Sequence, residues 1–187
     1  MELLSISSEP KPANGTMTGE YVKLWPYLTG VYSRDILGRL WQMIEQHGDG
    51  PRLFWGNAAP LDVRMDLPAF CAFFSTDTRA LLFITQPDGE AIIGCAWWEE
   101  IIPGHQAFGS IYLIPSYRGR AALEAINLGT QWAFDQFDLR QVWAITPWPA
   151  AASLITRAGY ERVATLPEFA RTTDEVHDVG VFRKVRA

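Results

Sequence analysis

Between Ser110 and Ile126 the chain reads Ser-Ile-Tyr-Leu-Ile-Pro-Ser-Tyr-Arg-Gly-Arg-Ala-Ala-Leu-Glu-Ala-Ile. An apolar strand, Ile111 to Ile114, meets Pro115 and a short polar turn, Ser116 to Arg120. That turn opens into a helix-forming run that ends near Phe137. A helix start leaves its first amides without intrahelical partners, and the helix dipole adds positive potential at the same spot. Such a turn suits a phosphate or pyrophosphate without needing any special side chain. An ordinary helix start decorated with two solvated arginines would carry the same local sequence.

Other residues that could do chemistry are few. Glu99 and Glu100 end an apolar strand and His105 follows Pro103-Gly104, which makes these three the candidates for proton removal. In a regular strand adjacent side chains point to opposite faces, so at most one of the two glutamates can face a cleft. Both also fit a solvated strand end. His105 titrates near neutral pH by nature, and it fits a surface loop equally well. Tyr112 and Tyr117 are the polar aromatics beside the basic turn. The three histidines (47, 105, 177) and two cysteines show no metal-ligand spacing. No Walker loop, Gly-x-Ser-x-Gly elbow or dinucleotide Gly-x-Gly-x-x-Gly occurs.

Eight tryptophans stand out. Large aromatics fill cores or mark binding surfaces. Trp97 and Trp98 precede the glutamates, and Trp148 opens a second helix. A cleft walled by them would suit an aromatic or cationic acceptor. The plainer reading is that alternating indoles cover both faces of a sheet.

The elements that must position these residues are legible mainly beyond residue 80. Leu81–Thr85 and Ala91–Trp98 are predicted strands joined by the turn Pro87-Asp88-Gly89. Ala107–Ile114 is a third strand, followed by the helix 120–137. Gln141–Thr146 reads as a strand, and Pro149–Ala158 as a short helix stopped by Gly159. Tyr160–Thr165 and Val179–Val185 close as strands. Before residue 80, Met1–Ile6 and Leu53–Trp55 read as short strands and residues 8–19 as loop. Ser33 would cap a helix carrying Ile36, Leu37, Leu40, Trp41 and Ile44, which Gly48-Asp49-Gly50-Pro51 ends. Asp66, with Pro68 just inside, marks a helix start running to Phe74.

Composition bounds the class. A length of 187 residues suits one domain, and 48% apolar with 20% charged residues excludes disorder. A net charge of −5 argues against a nucleic-acid binder. No apolar stretch reaches membrane-spanning length, and the N-terminus shows no basic region followed by an apolar one. Cys71 and Cys95 sit in apolar runs and are expected to be buried and reduced. The expectation is cytoplasmic, with no membrane and no nucleic acid partner.

The order β-β-β-α-β-α-β-β, with its strand-Pro-x-Tyr-Arg-Gly turn and an Arg-Ala-Gly-Tyr after the second helix, resembles the GNAT acetyltransferase superfamily over roughly residues 80–186. The resemblance implies an α/β fold: a mixed, mostly antiparallel sheet flanked by helices, with a strand-turn-helix cofactor site. Residues 1–79 would be a divergent N-terminal part of the same single domain, 1–187. The family turn, Arg/Gln-x-x-Gly-x-Gly/Ala, holds the pyrophosphate of acetyl-CoA on backbone amides. Arg118 matches its first position, while Ala121 and Leu123 stand where small residues are expected. The cofactor-binding set implied is Leu113, Ile114, Arg118, Gly119, Arg120, Ala121, Ala122 and Leu123, with the pantetheine arm falling on Leu113 and Ile114. Leu123 would crowd the phosphates unless it turns into the core, and Arg120 offers compensating charge-assisted bonds. The family's Asn, Ala and Tyr of the second helix fall on Trp148, Ala151 and Ile155, so the usual tyrosine proton donor is replaced.

The resemblance therefore implies an N-acetyltransferase moving an acetyl group from acetyl-CoA, its cosubstrate, to an amine on a small molecule or protein by direct attack. Glu99, Glu100 or His105 would assist proton removal, and a homodimer is compatible with this reading. The alternative is a non-catalytic protein of the same fold that binds partners. A third is a transferase or binder of longer acyl chains.

Overall fold

Trp97 and Trp98 are adjacent in sequence and so lie on opposite faces of one strand, and each nucleates a layer. The computed structural model describes residues 4–5, 15–27, 34–50, 66–76, 78–89, 91–171 and 175–187. Within them the strands are β1 (Leu4–Ser5), β2 (Met17–Thr18), β3 (Lys23–Pro26), β4 (Ala80–Thr85), β5 (Ala91–Ile102), β6 (Gln106–Leu113), β7 (Gln141–Thr146), β8 (Glu161–Arg171) and β9 (Val176–Val185). The helices are α1 (Arg34–Gln46), α2 (Leu67–Phe73), α3 (Arg120–Phe137) and α4 (Pro149–Arg157). They form one mixed sheet in the order β2-β3-β4-β5-β6-β7-β9-β8, with β1 paired to β5. Only β6 and β7 run parallel among these pairs. The mostly antiparallel α/β sheet expected from the resemblance is what forms.

β5 sits at the centre because its residues are apolar without alternation, so both faces can be covered. Trp97 meets Phe73 and Phe74 of the α2 region edge-on, at 6.5 and 5.9 Å. Trp98 lies against Trp132 of α3 at 5.2 Å. The alternating-indole reading of this pair holds. On the first face α1 buries Ile36, Leu37, Leu40, Trp41 and Ile44, the apolar positions at helical spacing. Asp66 caps α2 as expected, its side chain accepting from the Ala69 amide at 2.8 Å.

Three expectations change. Residues 8–19 are not all loop: Met17–Thr18 pairs with Lys23–Pro26, and that strand adds to β4. β5 continues past Trp98 to Ile102 through a bulge, with Glu100 at φ 50°. The last two strands are longer than the β-former runs, reaching Arg171 and starting at Val176. Pro167 disguised β8, but β8 is an edge strand, where a missing amide donor is tolerated. The first helix does end at the glycine turn: it stops at Gln46, and Gly48 follows at φ 67°. Ser33 and Leu53–Trp55 lie outside the described residues.

A carboxylate ties the early segment to α3. Glu124 accepts from the amides of Glu20, Tyr21 and Val22 at 2.8, 2.7 and 2.9 Å. Three successive amides converging on one anion make a nest. Charge-assisted bonds of this kind contribute about 1.5–3 kcal/mol each, and they are not additive. Glu124→Ala is therefore expected to lower stability by about 3 kcal/mol in chemical denaturation. Hydrogen exchange at Tyr21 and Val22 should accelerate with it, and unchanged protection there would contradict the clamp.

Candidate functional site

The parallel pair β6/β7 is short. Its register runs only from Gln106↔Gln141 to Phe108↔Trp143, after which the strands diverge. β7 stays with β9 over its whole length, while β6 stays with β5 to Leu113. The Ile114 amide donates to the Ile93 carbonyl at 3.0 Å. Bonding alternates along an antiparallel strand, so Ile111 and Leu113 turn their main-chain groups away from β5, into the gap beside β7.

α3 begins at the mouth of that gap. Gly119 is its N-cap, at φ 99° and ψ −116°, a region open essentially to glycine alone. Leu123 is the first residue of the turn to bond backward, its amide donating to the Gly119 carbonyl at 3.0 Å. Among the described residues the amides of Gly119, Arg120, Ala121 and Ala122 have no acceptor. Four unengaged donors at a helix start have the geometry that suits an anion.

A cavity of about 780 Å³ runs from this mouth into the gap. Leu113, Arg118, Gly119 and Ala122 of the sequence-derived set line it. Ile114 does not, being fully buried with its amide engaged. Leu123 packs against the hydrophobic core and not into the cavity, so it does not plug the turn. Arg120 reaches outward to Tyr21 Oη at 3.3 Å, and Ala121 is buried behind the mouth.

The three proton-removal candidates lie elsewhere. Glu99 faces Arg79, with Nε and Oε2 3.6 Å apart. Glu100 is exposed at the β5 bulge, where the regular alternation assumed for the pair breaks down. His105 is exposed in the turn between β5 and β6. None of them borders the cavity.

Two residues that sequence reasoning did not single out for chemistry, Asp49 and Tyr160, border it beside residues that it did. Asp49, just after α1, is buried in the wall with Tyr112 Oη at 3.2 Å and Arg118 Nη2 at 2.7 Å. Arg118 also donates from Nε to the Leu113 carbonyl at 3.1 Å. Burial first, then the Asp49 charge, pushes the Tyr112 hydroxyl far above its ordinary range. Tyr160 shares a 2.7 Å hydrogen bond with Thr130 Oγ1, and burial pushes its pKa up to about 12. Both phenols therefore stay protonated through neutral pH. Trp97, Trp98 and Trp148 supply indole walls, and Ile155 lines the cavity as well.

No family model and no curated protein sequence matches the chain. Solved structures do. A probable GNAT-family acetyltransferase from Chromobacterium violaceum shares 21% identity, covering 95% of this chain and 89% of its own, with a TM-score of 0.67. Ribosomal-protein-S5-alanine acetyltransferase from Vibrio fischeri shares 12% identity over 92% of this chain and 97% of its own, at 0.71. Spermidine N-acetyltransferase from Vibrio cholerae, solved with CoA and spermine, shares 14% identity over 89% and 96%, at 0.69. The diverging β6/β7 pair with a helix start at its mouth thus belongs to the fold of the GNAT acetyltransferases, which this chain carries along nearly its whole length.

Proposed function

We propose that the chain, acting as a single domain, transfers an acetyl group from acetyl-CoA to an amine within one ternary complex. The observation that carries this reading is the set of four unengaged amides at residues 119–122, of which Gly119 and Ala122 line the cavity between β6 and β7. Those amides would hold the pyrophosphate, with Arg118 adding charge from the same turn. Ile111 and Leu113, whose main-chain groups face the gap, would align the pantetheine arm as an added strand is aligned. Bound acetyl-CoA supplies a thioester whose acyl carbon accepts the amine while a thiolate departs.

The wall residues suit the remaining steps. A strand-edge amide aimed into the gap polarises a carbonyl that lies against it. Tyr160 keeps its proton at neutral pH and is available as a donor to a departing thiolate. With Glu99, Glu100 and His105 off the cavity, the proton of the attacking amine leaves through water.

A second reading, binding of CoA without turnover, is favoured by Ile155 in the place of the family tyrosine. Continuous detection of free CoA thiol, with acetyl-CoA and a panel of small amines and peptides, separates the two. Thiol release above the amine-free rate is expected with at least one acceptor. CoA binding with no release across the panel would move the assignment to the binding protein, and absence of CoA binding would remove both.

A further inference from the structure

A buried carboxylate needs a cation or several donors to remain ionised. Asp49 is 8% exposed, and among the described residues Arg118 is the cation beside it. That guanidinium stands directly before the four free amides, at the first position of the anion cradle. One arginine thus faces two anionic demands: the carboxylate already beside it and the phosphates the cradle is shaped for. Among the described residues, the other cationic side chain on the cavity wall, Arg157, is exposed on α4. It is no substitute partner for a buried acid held beside Tyr112.

We propose that Asp49 is a cofactor-gated anchor for the positive group of the acceptor. Phosphates settling on residues 119–122 draw Arg118 toward them and away from Asp49. The carboxylate is then left buried without its counterion, a state that the arrival of an ammonium group relieves. Tyr112 Oη, already in hydrogen-bond range of Asp49, holds the carboxylate in place during the exchange. The indoles of Trp97 and Trp148 give the incoming cation an aromatic surround. An ammonium held this way has no lone pair, so the anchored nitrogen is distinct from the one that attacks. The acceptor class is an amine that carries a second, positively charged group. The two sites become positively coupled, and coupling of binding is reciprocal.

This inference rests on the acetyl-CoA reading above, and titration calorimetry tests the two separately. CoA is titrated into wild type and Asp49→Asn; n-butylammonium and neutral n-butanol are titrated into free and CoA-saturated protein. Release of Arg118 in Asp49→Asn should tighten CoA binding about tenfold, the size of one charge-assisted bond. n-Butylammonium should bind the wild-type CoA complex at least about tenfold better than the free protein, with n-butanol showing no such gain. CoA affinity should rise by the same factor in the presence of n-butylammonium. CoA affinity that is unchanged or weaker in Asp49→Asn overturns the proposal, as does n-butylammonium binding that ignores CoA. Should Asp49→Asn fail to fold, the wild-type arms decide alone, because reciprocity is read without any variant. Wild type that does not bind CoA overturns the acyltransferase reading together with this one; normal CoA binding without amine coupling overturns this one only.

Discussion

Gly94→Ala is expected to lower the melting temperature by roughly 10 °C. A Cβ at this position would collide with the Tyr112 carbonyl oxygen and come within 3.0 Å of Leu113 Cα. Both obstacles are backbone, so no change of rotamer makes room. Gly94 pairs with Leu113 at the end of the β5/β6 ladder, and a register shift at Ile84/Thr85 already bends the pairing on its other side. Relief requires pulling β5 and β6 apart where β6 turns toward α3. Forcing extra volume into a packed site costs about 3 kcal/mol at the upper end of the usual range. For a chain of this size each kcal/mol moves the melting temperature by about 2–4 °C. The displaced segment is also the strand edge, Ile111 to Leu113, that lines the cavity. CoA affinity should therefore fall even at temperatures where the variant is fully folded. Calorimetric melting followed by titration below the transition checks both effects, and an unaltered melting temperature would contradict the close approach of the two strands.

How much of this was legible beforehand depended on whether local chemistry or distant pairing decided the element. The helix 120–137 has the bounds that its sequence predicts, because a glycine start and an apolar stripe are local signals. Gln141–Thr146 and the Pro87-Asp88-Gly89 hairpin are of the same kind. β2 and β3 were not readable: Lys23–Pro26 is too short to show a period, and it is a strand only because β4 accepts it. Leu123 could be read either way, and the choice between cavity and core is made by what packs beside it. Ile114 looked equivalent to Leu113, yet its amide is committed to Ile93, a pairing that only the strand register reveals.

Asp49 was the least readable of all. Gly48-Asp49-Gly50 spells a solvated turn, and an acid there is ordinarily exposed. Its burial depends on Arg118, 69 residues away, and on Tyr112 across the sheet. Conversely Glu99, Glu100 and His105 were attractive because they sit near a strand end close to the turn in sequence. The bulge after Glu99 and the salt bridge to Arg79 carry them away from the cavity. Chemistry-bearing type was visible in both cases; position relative to the gap was not.

The free amides at residues 119–122 carry the functional reading, and comparing CoA with pantetheine tests them most directly. The two ligands share the thiol arm, but only CoA presents phosphates to the helix start. Loss of two charge-assisted contacts should weaken binding by at least about a hundredfold. At a hundred times its dissociation constant, CoA should also stabilise the fold by about 2.7 kcal/mol. The expected calorimetric result is strong CoA binding that declines with added salt, beside weak binding of pantetheine. Equal affinities for the two ligands, or no heat from CoA at millimolar concentration, would contradict a phosphate cradle at this turn.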